Sequence, residues 1–261
     1  MPKFAANLTM LFTEVPFMDR FRFAKEAAFS YVEYLFPYDF KAEDIKSELD
    51  RCGLKQVLFN IPSGNWAQGD RGIAANPNRA DEFRAGVHKA LEYALVLGVK
   101  QLNCQPGKHV AGCSEADQWS ALVGNVRYAA GMLQEKNTAL LIEPLNPFDI
   151  PGVFISRTEQ AIQLIEEVAL PNVFLQYDVY HAQRVEGELA ATMRKYQNLI
   201  RHIQIADNPG RHQPGTGEIN YPFIFDEIDS LGYDGYIGLE YVPANGTRDS
   251  LSWVKEFGYT L

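Results

Sequence analysis

Residues 139–178 read ALLIEPLNPFDIPGVFISRTEQAIQLIEEVALPNVFLQYD. An apolar run, Ala139–Leu145, is broken by a single acid, Glu143. Asn, Pro and Gly then mark a loop. Thr158–Val168 follows, with Ala161, Ile162, Ile165 and Val168 at helical spacing. A second apolar run, Val173–Val179, again holds one acid, Asp178. Short apolar runs on either side of an amphipathic segment predict strand, helix, strand. Strands joined through a helix run parallel, because a crossover needs a dozen or more residues whereas an antiparallel hairpin needs only a few.

The same alternation extends in both directions. Upstream it predicts strands over Phe4–Met10, Tyr31–Phe36, Leu54–Ile61 and Gln101–Gln105, with helices over Phe17–Ala28, Ala42–Cys52, Arg79–Leu97 and Ala116–Glu135. Downstream, helices over Glu188–Tyr196, Phe223–Leu231 and Asp249–Phe257 alternate with strands over Ile200–Ala206 and Tyr236–Val242. Eight strand–helix units at a spacing of roughly 30 residues predict an α/β fold, a single (β/α)8 barrel of the TIM type spanning residues 1–261. An open doubly wound sheet would carry a Gly-rich phosphate turn after its first strand. The residues there, Asn7-Leu-Thr-Met-Leu-Phe12, are no such turn. No low-complexity stretch or Pro/Ser-rich linker divides the chain.

Composition narrows the class of function. With 46% apolar and 22% charged residues, the chain has ample material for one core. Its formal net charge of −9 repels phosphate backbones and argues against a nucleic-acid partner. Cys52, Cys104 and Cys113 are odd in number and form no CxxC, which reads as reduced thiols. The opening residues, MPKFAANLTMLFTE, lack the basic and apolar regions of a secretory signal, and no apolar run reaches the roughly 18 residues needed to span a bilayer. The expectation is a cytoplasmic protein that acts without a membrane; a homo-oligomer is compatible with it.

A barrel enzyme carries its chemistry at the carboxyl ends of its strands. Glu143, Asp178, Gln204 and Glu240 each interrupt the apolar run of one of the last four strands near its end. Side chains alternate faces along a strand, so Leu141 shares a face with Glu143, Gln176 with Asp178, His202 with Gln204 and Gly238 with Glu240. A single strand acid can equally serve as an edge residue or an ion-pair partner. With three carboxylates and an amide converging on one barrel mouth, the carboxylates would repel one another and resist burial, and a divalent cation removes both problems. Their all-oxygen donor set suits Mg²⁺ or Mn²⁺ better than Zn²⁺.

Around this set, His181 follows Asp178 by three residues and is a candidate for a substrate oxygen, or else a helix-start histidine bonded to backbone. Arg211, in a Gly/Pro-rich loop after the seventh strand, is suited to clamp a carboxylate. Trp66 stands in the long loop Pro62–Pro77, which at a barrel mouth often serves as a lid. Asn7 and Asn60, near the ends of the first and third strands, are candidate pocket residues. His202 falls one layer below Gln204 and reads as support for it.

The runs IEPLNPFDIPG (142–152), LQYDVYHAQRVEGEL (175–189) and HIQIADNPGRHQPGTGEINY (202–221), with ANLTMLF (6–12) and GLEYVP (238–243), resemble the hydroxypyruvate isomerase family, including its 2-oxo-tetronate isomerase subgroup, among the xylose-isomerase-like barrels. The resemblance spans essentially the whole chain. It implies a TIM-type barrel and an aldose–ketose type isomerisation of a small hydroxy-keto acid. It implies that Glu143 and Glu240 handle the proton, and that Glu143, Asp178, Gln204 and Glu240 contact the metal. In related ketose epimerases the position of Gln204 is a histidine. A ketose 3-epimerase and a non-catalytic sugar-acid-binding barrel are the alternative readings.

Overall fold

The computed structural model of the chain describes residues 2–261. β1 (Lys3–Asn7) leads to α1 (Phe17–Glu26), β2 (Tyr31–Glu33) to α2 (Ala42–Cys52), β3 (Lys55–Asn60) to α3 (Ala80–Leu97), and β4 (Gln101–Cys104) to α4 (Glu115–Gln134). β5 (Ala139–Ile142) leads to α5 (Thr158–Val168), and β6 (Val173–Asp178) to α6 (Val179–Val185) and α7 (Leu189–Tyr196). β7 (Ile200–Ile205) leads to α8 (Tyr221–Ser230), and β8 (Tyr236–Leu239) to α9 (Thr247–Ser250) and α10 (Ser252–Glu256). The strands close in sequence order, β1 through β8, as the expected parallel barrel. No described helix is long and apolar enough to cross a membrane.

Several boundaries differ from the sequence expectation, each for a local reason. β2 stops at Glu33 rather than Phe36, because the next backbone groups bond to the loop after β1: Leu8 N donates to Glu33 O at 2.7 Å and Leu35 N to Thr9 Oγ1 at 2.9 Å. β5 ends at Ile142, two residues before Pro144, which has no N–H for a ladder. The helix α6 lies outside the sequence expectation. It begins directly after β6 because Asp178 caps it, accepting from Tyr180 N at 2.8 Å and His181 N at 3.3 Å. α8 starts at Tyr221, capped by Asn220, with Pro222 in its first turn, where a missing N–H is harmless.

By contact density the chain groups into two compact units, residues up to 57 with 177–261, and residues 58–176. In the first, Phe4 of β1 packs edge-on against Phe225, Trp253 and Tyr259 at centroid distances of 5.7, 5.4 and 5.9 Å. That aromatic cluster covers the outer face of β1 with α8 and α10, so alternation turns Ala5 and Asn7 to the barrel interior. At the amino-terminal ends of β2 and β8, the Tyr31 and Tyr236 rings meet at a tilt with centroids 4.8 Å apart, and Lys55 Nζ donates to Tyr236 Oη at 3.1 Å.

In the second unit, α3 buries Phe83, Val87, Ala90, Leu91, Ala94 and Leu97, one apolar stripe at helical spacing. The loop between β3 and α3 is anchored there. Asn125 Nδ2 donates to Ala74 O at 2.8 Å and Gln118 Nε2 to Ala75 O at 3.2 Å. Gly72 and Gly107 meet backbone to backbone at φ 107° and 105°; a Cβ on Gly72 would lie 2.0 Å from Gln105 O. Only glycine permits both that φ and that approach.

Candidate active site

In the first unit the acids and amides at the strand ends form one network. Glu33, the last residue of β2, is 1% exposed. Its Oε1 accepts from Asn7 Nδ2 at 2.9 Å and from Gln204 Nε2 at 2.8 Å, and its Oε2 from His202 Nε2 at 2.6 Å. Glu240, just past β8, is buried beside it. Glu240 Oε2 accepts from Asn7 Nδ2 at 3.2 Å and from Gln204 Nε2, while Oε1 accepts from Arg211 Nη2 at 2.5 Å. Both carboxamides therefore bridge the same pair of carboxylates. Strand register makes this possible: Asn7 lies opposite Glu33, and Gln204 opposite Gly238, two residues before Glu240.

The electrostatics of Glu240 follow from its position. Its carboxyl is pushed up to about 8, by burial above all and by the nearby Asp178 and Glu33 charges, against the lowering effects of Arg211 and the Gln204 hydrogen bond. An acid held near neutrality is suited to exchange a proton in either direction.

Asp178 divides its two oxygens. Oδ1 caps α6, and Oδ2 lies 3.6 Å from His181 Nε2 and 3.8 Å from Arg211 Nη2. Arg211 sits at φ 57° with its guanidinium 5.1 Å from the Tyr180 ring centroid. The sequence predicts that Arg211 clamps a substrate carboxylate; in this structure it clamps Glu240. The loop that presents it is organised by Asp207, fully buried, which accepts from four backbone N–H groups, those of Asn208, Gly215, Gly217 and Ile219, at 2.9–3.1 Å.

In the second unit Glu143 follows β5 and is buried, accepting from Asn103 Nδ2 of β4 at 2.7 Å. Asn60 is buried at the end of β3. Trp66 is 36% exposed in a short 3₁₀ turn, with the Arg71 guanidinium 3.9 Å from its ring centroid.

The structure thus joins Asn7, Gln204, Glu240 and Arg211 in one network and pairs Asp178 with His181. Sequence reasoning missed three residues. Glu33 breaks the apolar run YVEYLF just as Glu143 breaks its own, and Asn103 breaks QLNCQ, so the rule applied to the last four strands would have found both in the earlier ones. Asp207 gave no comparable signal beyond preceding a Gly-rich loop.

A closed parallel barrel with buried acids and amides at its strand ends is the build of a TIM-barrel enzyme. The chain belongs to the xylose isomerase-like TIM barrel family, whose model matches residues 21–257. It is 48% identical to hydroxypyruvate isomerase of Escherichia coli over 98% of this chain and 100% of that one. It is 42% identical to a 2-oxo-tetronate isomerase of Cupriavidus necator over 98% of this chain and 99% of the other. Among solved structures it matches one described as AP endonuclease, family 2, from Brucella melitensis, with a TM-score of 0.96 and 45% identity over 98% of this chain and 99% of that one.

Proposed function

We propose that the chain is an isomerase that moves a carbonyl between adjacent carbons of a small hydroxy-keto acid by proton transfer through an enediolate. The substrates are hydroxypyruvate, giving tartronate semialdehyde, or 2-oxo-tetronate, giving 3-oxo-tetronate. The observation that carries this is the full-length likeness to isomerases of these acids. The buried groups suit the chemistry. Glu143 and Glu240 share the roles of base at C3 and acid at C2, and the raised Glu240 carboxyl is matched to a proton exchanged near neutral pH. Arg211, already aimed at Glu240, binds the substrate carboxylate; His181, Asn7, Asn60 and Trp66 complete the contacts to substrate.

The donor set fits a divalent cation. Glu143, Asp178, Gln204 and Glu240 offer hard oxygen donors suited to Mg²⁺ or Mn²⁺, and the Gln204 amide, with its N–H groups on carboxylates, turns its oxygen away from them. His181 Nε2, 3.6 Å from Asp178 Oδ2, adds an imidazole within reach of the same cation, which brings His181 in as a ligand as well as a substrate contact. When bound, the ion supplies positive charge against the enediolate oxygen. The protein acts in the cytoplasm as one domain over 1–261, on a small molecule and without nucleic acid; a homo-oligomer is compatible with this function.

Incubation with each acid in deuterated water and Mn²⁺ or Mg²⁺, followed by NMR, tests the proposal. Isomer formation is expected with deuterium at C2 of the product and washed into C3 of the recovered substrate by the reverse reaction. Turnover without any exchange points to hydride transfer and refutes the proton mechanism. An epimerised product identifies a ketose 3-epimerase, and substrates recovered intact leave a binding barrel.

A further inference from the structure

Glu33 belongs to none of the roles above, yet it shares both of its carboxamide partners, Asn7 and Gln204, with Glu240. It reaches from β2 to β7 to meet His202 and Gln204, and the space it occupies is kept open by a glycine. A Cβ on Gly238 would lie 2.3–2.5 Å from the Glu33 carboxylate atoms. The Glu33 carboxylate accepts three side-chain hydrogen bonds, from Asn7 Nδ2 and Gln204 Nε2 on Oε1 and from His202 Nε2 on Oε2.

A carboxamide has two ends of nearly equal size and opposite polarity. Gln204 lies between Glu33 and Glu240, both acceptors. With Nε2 toward them it makes two hydrogen bonds; turned over, Oε1 would face two carboxylates. Glu240 alone would impose this, but Glu240 is itself proposed to move protons and meet a cation, so it cannot be a constant reference. Glu33 can: it is buried, held by a histidine on its far oxygen, and fixed against Gly238. Asn7 is set the same way, its Nδ2 on Glu33 and its Oδ1 accepting from Thr9 N at 3.1 Å.

We infer that Glu33 is a positioning residue that fixes which way round the Gln204 carboxamide sits, and so presents Gln204 Oε1, not Nε2, as the donor toward a divalent cation. The inference rests on the cation site proposed above. Outer partners of this kind typically change metal affinity by roughly 10- to 100-fold when removed.

Calorimetric titration with Mn²⁺ of the full-length protein tests it as a cycle over Glu33→Gln and Gln204→Glu. A carboxylate at position 204 is the same either way round and no longer needs Glu33. Glu33→Gln is therefore expected to weaken Mn²⁺ binding at least about 10-fold in the wild-type background and to have its cost vanish or reverse in the Gln204→Glu background. An equal loss in both backgrounds marks a merely structural role and overturns the inference, as does wild-type affinity in Glu33→Gln. Should Glu33→Gln not fold, Gly238→Ala displaces the carboxylate while keeping both side chains, and unchanged Mn²⁺ affinity there overturns it equally. Wild-type protein that binds no Mn²⁺ sinks the cation site and this inference together, whereas wild-type binding matched by Glu33→Gln sinks the inference alone.

Discussion

Replacing Glu240 with Gln removes one titrating group from a fully buried position. In the folded protein that carboxyl is pushed from an ordinary 4.5 up to about 8, burial being the main cause. Between those values the folded chain keeps a proton that the unfolded chain has released, so rising pH favours unfolding. This contribution to stability is fully present below the unfolded value and is lost as pH climbs through the folded one. One proton of difference is worth about 1.4 kcal/mol per pH unit. From pH 5.5 to 8 the wild type should therefore lose roughly 2–3 kcal/mol relative to Glu240→Gln. The absolute offset between the two proteins depends on how Asn7, Gln204 and Arg211 accommodate an amide, but the slope of the difference belongs to the carboxyl. Urea unfolding of both proteins in chelator, at half-unit pH intervals, measures it. A wild-type stability that holds level with pH relative to Glu240→Gln, or rises relative to it, would show that the Glu240 carboxyl is not raised and would remove the case for it as a proton carrier near neutrality.

Other outcomes follow from the same geometry. Glu143→Gln and Glu240→Gln should each lower kcat by about 10²-fold or more, with near-native circular dichroism, in the isomerisation assay. Chelation should abolish turnover, and added Mn²⁺ or Mg²⁺ should restore it. Asp207→Ala leaves four backbone N–H groups without their acceptor, and should cost about 3 kcal/mol or more in urea unfolding while raising KM through the Arg211 loop.

The apolar rhythm of the chain was enough to place every strand of the barrel, because burial on both faces of a parallel strand leaves an uninterrupted apolar run that stands out between amphipathic helices. The acids and amides that break those runs near their ends were legible for the same reason. Helix ends were less so. α6 exists because Asp178 turns back to cap it, and nothing in the composition of VYHAQRV distinguishes a helix there from a loop.

What the sequence by itself determined is the barrel and the identity of its polar strand-end residues, including Glu143, Asp178, Gln204 and Glu240. What only the tertiary structure decided is which of them face one another. Glu33 and Gln204 are separated by 171 residues, and Gly238 makes room for a carboxylate from a strand it follows by more than two hundred positions. Hydrogen bonds between distant strands depend on barrel closure and register, and neither is a local property of the chain. The same is true of Arg211, whose charge is evident in the sequence and whose partner, Glu240, is set by the loop that Asp207 gathers beneath it.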